Sequence, residues 1–340
     1  MSVFAKRALL HSGWDKDVRL SMTAGRITDI QTNAKAAAED VQVDTMLPAL
    51  SNLHSHSFQR AMAGMTEFRQ KGQENFWTWR RLMYQFLEHL TPDDIGAIAQ
   101  FAFMEMLESG YAAVGEFHYL HHAPGGQFYD DPAELSGHIL QAARQTGIGL
   151  THLPVLYSYG DIGLHPLSGG QCRCGHTLVQ FSELMAQCGT LIAQMPEDTA
   201  LGVAPHSLRA IAPDDLARLL AQTPTGPVHM HIAEQRKEGA DVTAALGARP
   251  VEWLLDAADV DPRWCLIHAT HMTPEETRGL ARSGAVVGLC PVTEANLGDG
   301  IFEAQTYLEA KGRFGIGTDS NINISVADEL RMLEYAQRLH

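Results

Sequence analysis

From residue 46 onward, short apolar runs alternate with longer stretches whose apolar positions recur at helical spacing. The runs at 43–53, 112–117, 149–156, 200–204, 227–232, 264–267, 285–289 and 313–317 predict strands. The stretches 76–90, 91–109, 132–146, 178–195, 213–221, 242–257, 274–283 and 326–339 predict helices, several of them closed by a glycine such as Gly110 or Gly147. Strands that alternate with helices imply a parallel α/β architecture. A (β/α)8 barrel needs about 250 residues, and the interval from Thr45 to Asp319 accommodates one. Ahead of it, 3–10, 17–23 and 26–31 predict short strands bounded by His11-Ser12-Gly13 and Ala24-Gly25. The expected organisation is therefore a small β module over 1–45 and a TIM-like barrel over 46–340.

A doubly wound open sheet is the alternative. The barrel is preferred because the chemistry-bearing clusters all fall at the C-terminal ends of strands, and only a barrel gathers those ends on one face. The pattern stops at His340, inside the stretch expected to follow the last strand. Residues are expected downstream, among them the C-terminal part of the β module.

Composition narrows the partners. Of 340 residues, 45% are hydrophobic, and 25 Lys+Arg against 40 Asp+Glu leave a formal charge of −15. Such an acidic chain is not expected to bind nucleic acid or an anionic membrane. There is no secretory leader pattern and no apolar run long enough to cross a bilayer, so a cytoplasmic protein is expected. Five cysteines scattered through the chain do not make a disulfide framework. A homodimer is compatible with all this, although no interface can be read from the sequence.

Seventeen histidines are many, and only those in the right context count. His54 and His56 sit two apart at the end of an apolar run, so on a strand both imidazoles face the same way. That is half of a zinc site. His231 ends a later strand, with Glu234 three residues beyond: an imidazole for a metal and a carboxylate suited to moving a proton. His229 shares the facing of His231 but lies deeper, and is expected to be a core histidine with a hydrogen-bond partner. His268 also ends a strand, where it could polarise the reacting group or a water; His271 is expected in a loop. Asp319 follows the last strand and could ligate a metal or accept a proton. The Gly315-Ile-Gly317 run lacks the third glycine of a dinucleotide fingerprint. Cys172-Arg-Cys174-Gly-His176 lacks the spacing and second half of a zinc knuckle. Trp77, Trp79, Tyr84 and Phe86 read as packing.

This strand-end set resembles the amidohydrolase superfamily, and the His-x-x-Glu form of His231 and Glu234 resembles its deaminating branch. More narrowly, five stretches are similar to formimidoylglutamate deiminases. They are His54-Ser-His-Ser-Phe-Gln-Arg-Ala-Met-Ala-Gly64, Phe76-Trp-Thr-Trp-Arg80, Glu116-Phe-His-Tyr119, Ala204-Pro-His-Ser-Leu-Arg209 and Cys290-Pro-Val-Thr-Glu-Ala-Asn-Leu-Gly-Asp-Gly300. The resemblance implies hydrolysis of N-formimino-L-glutamate in histidine breakdown. It also implies one divalent ion, zinc in preference to iron, held by His54, His56, His231 and Asp319. On the same resemblance, Asp319 would accept the proton of the attacking water and Glu234 would protonate the departing nitrogen. His268 would orient the water or stabilise the tetrahedral intermediate. Arg80 and Arg209 would hold the two carboxylates of a small dicarboxylate amidine, with Gln59, Tyr119 and His206 adding hydrogen bonds. The competing readings are a nucleobase or triazine aminohydrolase of the same superfamily, and a catalytically inactive barrel that only binds.

Overall fold

The computed structural model describes residues 1–65, 67 and 76–340, without the side chains of Phe76 and Trp77. It divides into two compact units, Met1–Leu50 and Ser51–His340.

In the first unit, strands β1 (Ser2–Leu10), β2 (Gly13–Thr23), β3 (Arg26–Gln31) and β4 (Val41–Met46) form one sheet in the order β3-β2-β1-β4. The hairpin partners of β1 and β2 are antiparallel, whereas β4 lies parallel to β1. Ala5, Ala8, Val18 and Leu20 form its small buried core, and β3 is exposed along its whole length. The apolar run at 43–53, expected as one strand, is two. Pro48 supplies no backbone N–H and interrupts it, so β4 ends in the module and β5 (Leu50–Ser55) begins the next sheet.

In the second unit, β5 is followed by α1 (Phe76–Leu87), α2 (Pro92–Ser109), β6 (Tyr111–His118), α3 (Glu134–Thr146) and β7 (Gly149–Leu156). Next come α4 (Leu178–Ile192), β8 (Thr199–Leu201), β9 (Ala204–Pro205), α5 (Pro213–Gln222) and β10 (Val228–Ile232). The chain continues through α6 (Arg236–Leu246), α7 (Pro250–Ala257), β11 (Trp264–His268), α8 (Pro274–Ser283) and β12 (Val286–Leu289). It finishes with α9 (Pro291–Leu297), α10 (Ala304–Glu309), β13 (Arg313–Ile316) and α11 (Val326–Leu339).

The parallel strands form two arcs, β5-β6-β7-β8 with β9 beside β7, and β10-β11-β12-β13. Single bridges close both seams: Val203 to Val228 on one side and Ser55 to Asp319 on the other. The sheet is therefore a closed barrel, and the open doubly wound alternative is excluded. The fourth strand is two short pieces, β8 and β9, with Gly202 and Val203 between them. There is no room for a side chain at Gly202, where a Cβ would lie 2.6 Å from the Leu153 side chain and 2.8 Å from the Pro227 carbonyl. The helix expected at 242–257 is likewise two helices, α6 and α7. Gly247 caps the first in the left-handed region and Pro250 starts the second. The short helices α9 and α10 were not legible as periodic stretches. Strands β10 and β11 are buried at every residue, as expected for strands covered on both faces. No helix of the described residues is long and apolar enough to cross a membrane.

Candidate metal centre and pocket

Period-two alternation places His54 and His56 on the same side of the chain as it leaves β5, and both are buried. His231 comes from β10, and Asp319 from the turn after β13. One ring nitrogen from each histidine and one Asp319 oxygen lie within 4.8 Å of one another. His54 Nε2 lies 3.1 Å from His56 Nε2 and 3.0 Å from His231 Nε2. Asp319 Oδ1 is 3.4 Å from His54 Nε2 and 3.2 Å from His56 Nε2.

The opposite nitrogens explain this orientation. His56 Nδ1 donates to the Phe117 carbonyl at 2.9 Å, and His231 Nδ1 donates to the His206 carbonyl at 3.2 Å. Each imidazole thereby carries its proton outward and turns an Nε2 lone pair inward. Burial pushes the His54 imidazole down to about 3 and holds His231 well below its ordinary value, so both stay neutral. Burial opposes ionisation of Asp319, but the His54 and His56 imidazoles beside it hold its carboxyl well below the usual carboxylate range. Converging neutral imidazole lone pairs and a carboxylate cannot satisfy one another; they fit a divalent cation.

The backbone around this cluster is strained. Ala233, His268, Ala269, Asp319 and Asn321 all have positive φ, between 46° and 69°. Non-glycine residues rarely adopt that conformation, and such strain gathers where side chains must be aimed. Closure of the barrel needs Gly317, since a Cβ there would lie 2.8 Å from both the backbone nitrogen and the oxygen of His54.

A cavity of about 590 Å³ opens over the cluster. His56, His231, Glu234, His268 and Asp319 line one part of it, and Gln59, Arg80, Tyr119, His206 and Arg209 the rest. His54 lies behind them, fully buried. All the residues singled out from the sequence for metal, substrate and catalysis thus meet at one place.

Glu234 Oε1 is 3.9 Å from His268 Nε2, and Glu234 Oε2 is 3.9 Å from Arg209 Nη2. Burial raises the Glu234 carboxyl above its ordinary range. Burial works against a charged His268, yet Glu234, Glu294 and Asp319 together raise it to about 10. Gln59 Nε2 donates to Tyr119 Oη at 2.9 Å, while Gln59 Oε1 is buried without a partner among the described residues.

Some contributors were not foreseen. Glu294 Oε1 accepts from His268 Nδ1 at 3.2 Å and from the Cys290 backbone N–H at 2.9 Å. Cys290 lies close to both, but these hydrogen bonds already account for the group. Glu116 accepts from the Ser57 N–H at 2.7 Å and its hydroxyl at 2.6 Å, pinning the turn after His56. Tyr157, Cys174, Thr293 and Leu297 also line the pocket. Trp79 and Tyr84, expected only to pack, do pack against the core but face the pocket too. Phe86 packs, and the Trp77 side chain lies outside the described residues. His229 is buried as expected, but its Nδ1 has no partner among the described residues. His271 lies in a loop, where its Nε2 donates to the Asp299 carbonyl at 2.8 Å.

Comparison with known proteins places this geometry. Residues 45–340 match the amidohydrolase family, and residues 1–43 match the N-terminal domain of the formimidoylglutamate deiminase HutF. A formimidoylglutamate deiminase of Pseudomonas aeruginosa is 49% identical over 99% of this chain and 75% of its own length. The crystal structure of an amidohydrolase from Brucella melitensis aligns with a TM-score of 0.97 and 47% identity, over 99% of this chain and 75% of that one. An adenosine deaminase from Xanthomonas campestris with bound zinc aligns with a TM-score of 0.77 at 21% identity, over 99% of this chain and 74% of that one. At that identity the likeness concerns the fold.

Proposed function

Since the chain belongs to the amidohydrolase family and, within it, to the formimidoylglutamate deiminases, we propose that it hydrolyses N-formimino-L-glutamate to N-formyl-L-glutamate and ammonia, a step of histidine degradation. The observation that carries the reading is one pocket holding a cation's donor set, a buried proton carrier and two guanidinium groups. A nucleobase pocket has no use for two arginines, whereas a guanidinium fork matches each carboxylate of this substrate.

The family is metal-dependent, and His54, His56, His231 and Asp319 would hold the ion. No lysine lines the pocket among the described residues, which favours one ion, and the imidazole-rich set favours zinc. A divalent ion held there would supply Lewis-acid chemistry, making water a better nucleophile near neutral pH and polarising the carbon under attack.

The protein's own groups do the rest. Asp319 turns Oδ1 to the imidazoles and leaves Oδ2 4.0 Å from His268 Nε2, where it can take the proton of the attacking water. Glu294 holds His268 by Nδ1, so that Nε2 faces Glu234 and Asp319 and can stabilise charge growing on the attacked carbon's substituents. Glu234, disposed by burial to keep a proton, delivers it to the nitrogen that departs as ammonia. Arg209 and Arg80 bind the carboxylates, while Gln59, Tyr119 and His206 orient the chain between them.

The test is ammonia release from N-formimino-L-glutamate by metal-loaded protein, alongside a nucleobase panel and metal analysis. Release from the former alone, with about one zinc per chain, is expected. Arg80→Ala and Arg209→Ala should each raise KM at least tenfold while metal content stays normal. Absence of ammonia release, or loss of metal in the arginine variants, overturns the reading.

A further inference from the structure

At the Arg80 corner of the pocket, one hydroxyl has an unspent proton. Tyr157, one residue past β7, accepts at Oη from Arg80 Nη2 at 3.1 Å and from Gln171 Nε2 at 3.2 Å. A phenol oxygen has two lone pairs and one hydrogen. Both lone pairs are engaged, so the hydrogen can only be donated, and no acceptor for it is found among the described residues. Yet Tyr157 is buried and lines the cavity. A buried donor left unsatisfied is costly, which makes an acceptor brought by the ligand its natural partner.

The arrangement is built, not incidental. Gln171 Nε2 also donates to the Gly160 carbonyl at 2.9 Å, and Gln171 Oε1 accepts from the Ser168 N–H at 3.2 Å, so the amide is fixed in one orientation. A side chain at position 160 would ruin it, because a Cβ there would lie 2.7 Å from the Pro166 carbonyl and 2.9 Å from Gln171 Oε1. On the other flank, Arg80 Nε donates to Tyr84 Oη at 3.2 Å. The guanidinium and the Tyr157 hydroxyl thus present a cation and a directed O–H to the same space.

We infer that Tyr157 is a substrate-binding residue, whose hydroxyl donates to the carboxylate that pairs with Arg80, and that this corner takes the carboxylate farther from the reacting nitrogen. The inference rests on the deiminase reading above. Its second half follows from Arg209, which stands 3.9 Å from the Glu234 carboxylate and so belongs to the reacting end. In an N-formimino amino acid the α-carboxylate is one carbon from the amidine nitrogen that stays on the chain, and so nearer the attacked carbon than the side-chain carboxylate, which is left for Arg80 and Tyr157. A terminal amide in its place would turn N–H groups toward the guanidinium. The corner therefore selects an anionic chain end.

Two experiments test this. Tyr157→Phe should raise KM for N-formimino-L-glutamate about tenfold, with a much smaller fall in kcat. With N-formimino-L-2-aminobutyrate, which lacks the distal carboxylate, kcat/KM should differ from that of the unaltered protein by no more than about twofold. Binding of N-formyl-L-glutamate, followed by calorimetry on metal-loaded protein, then separates contact from support. Adding Tyr157→Phe to Arg80→Ala should weaken binding by a further factor of about five. Equal losses on both substrates would reduce Tyr157 to a structural residue. No further weakening in the Arg80→Ala background would reduce it to a prop for the arginine. Either result overturns the inference. Failure of the deiminase reading itself would show differently, as no ammonia from N-formimino-L-glutamate with the unaltered protein.

Discussion

Glu234 owes its position to the turn that follows β10. Ala233 takes φ of 50°, which directs the chain out of the strand and back over the pocket. The Glu234 N–H is then held by Glu238 Oε2 at 3.0 Å, so the backbone is anchored while the carboxyl stays within reach of His268 and Arg209. Burial favours its neutral form, and the adjacent imidazole and guanidinium favour the charged one. A carboxyl under both influences is suited to taking up and releasing a proton in each turnover. Glu234→Gln preserves shape and much of the hydrogen bonding but cannot carry a proton. It should lower kcat by about 10²- to 10⁴-fold with KM changed only a few-fold and metal content unaltered, as steady-state kinetics with metal analysis would show. An unchanged kcat would shift proton delivery to His268.

Between elements, the decisive contact is the seam where the last strand meets the first. The N–H groups of Thr318 and Asp319 donate to the His54 carbonyl at 3.0 Å and 2.9 Å, and the His56 N–H donates to the Asp319 carbonyl at 3.0 Å. Closure and ligand placement are therefore the same set of bonds. Gly317→Ala would push a methyl group into the backbone of His54, which cannot rotate away. The variant should lose about 3 kcal/mol of stability, read as a lower unfolding midpoint, and should hold metal less tightly. Much at this scale was legible in the sequence, because a buried parallel strand is a short apolar run and its neighbours are amphipathic helices. The strand-end histidines were legible for the same reason: a period of two fixes their facing. What escaped notice depends on a single residue or on distant convergence. Pro48 splits an apolar run, Gly247 and Pro250 split a helix, and Tyr157, Gln171 and Glu294 matter only through side chains that meet partners from distant segments of the chain. Arg80 could be singled out through its surrounding motif but not from helical spacing, which gives a surface arginine the same signature.

Across the whole barrel, neutral histidines are buried well beyond the metal centre. His118, His121, His152 and His176 form a chain of ring contacts, with centroids 4.7–5.4 Å apart. Their environment is almost wholly uncharged. His152 Nε2 meets Ser136 Oγ at 3.0 Å, His121 Nε2 donates to the Val155 carbonyl at 3.1 Å, and the rings they touch are other imidazoles and Phe181. Burial pushes His152 and His176 down to about 3 and holds His118 and His121 well below the ordinary value. The folded chain refuses these protons, whereas the unfolded chain accepts them near pH 6.5. Each such histidine therefore contributes its full stability above about pH 6.5 and loses about 1.4 kcal/mol for every pH unit below it, until the folded form can itself be protonated. Buried acids oppose this. Burial raises Asp299 and Glu329 to about 9, so they take protons more readily when folded and stabilise the fold as pH falls. Burial raises Glu116 and Glu234 too, but His54, His206, His229 and His231 are held low along with the four above, so the depressed histidines outnumber the raised acids and the net slope below pH 6.5 is downward. Unfolding midpoints measured from pH 7.5 to 5 should fall steadily once pH 6.5 is passed. His152→Gln, which cannot be protonated but can still hydrogen-bond Ser136, should flatten that slope by about one histidine's share. A flat profile in the unaltered protein would mean that these imidazoles are solvated or paired in a way the packing around them does not allow.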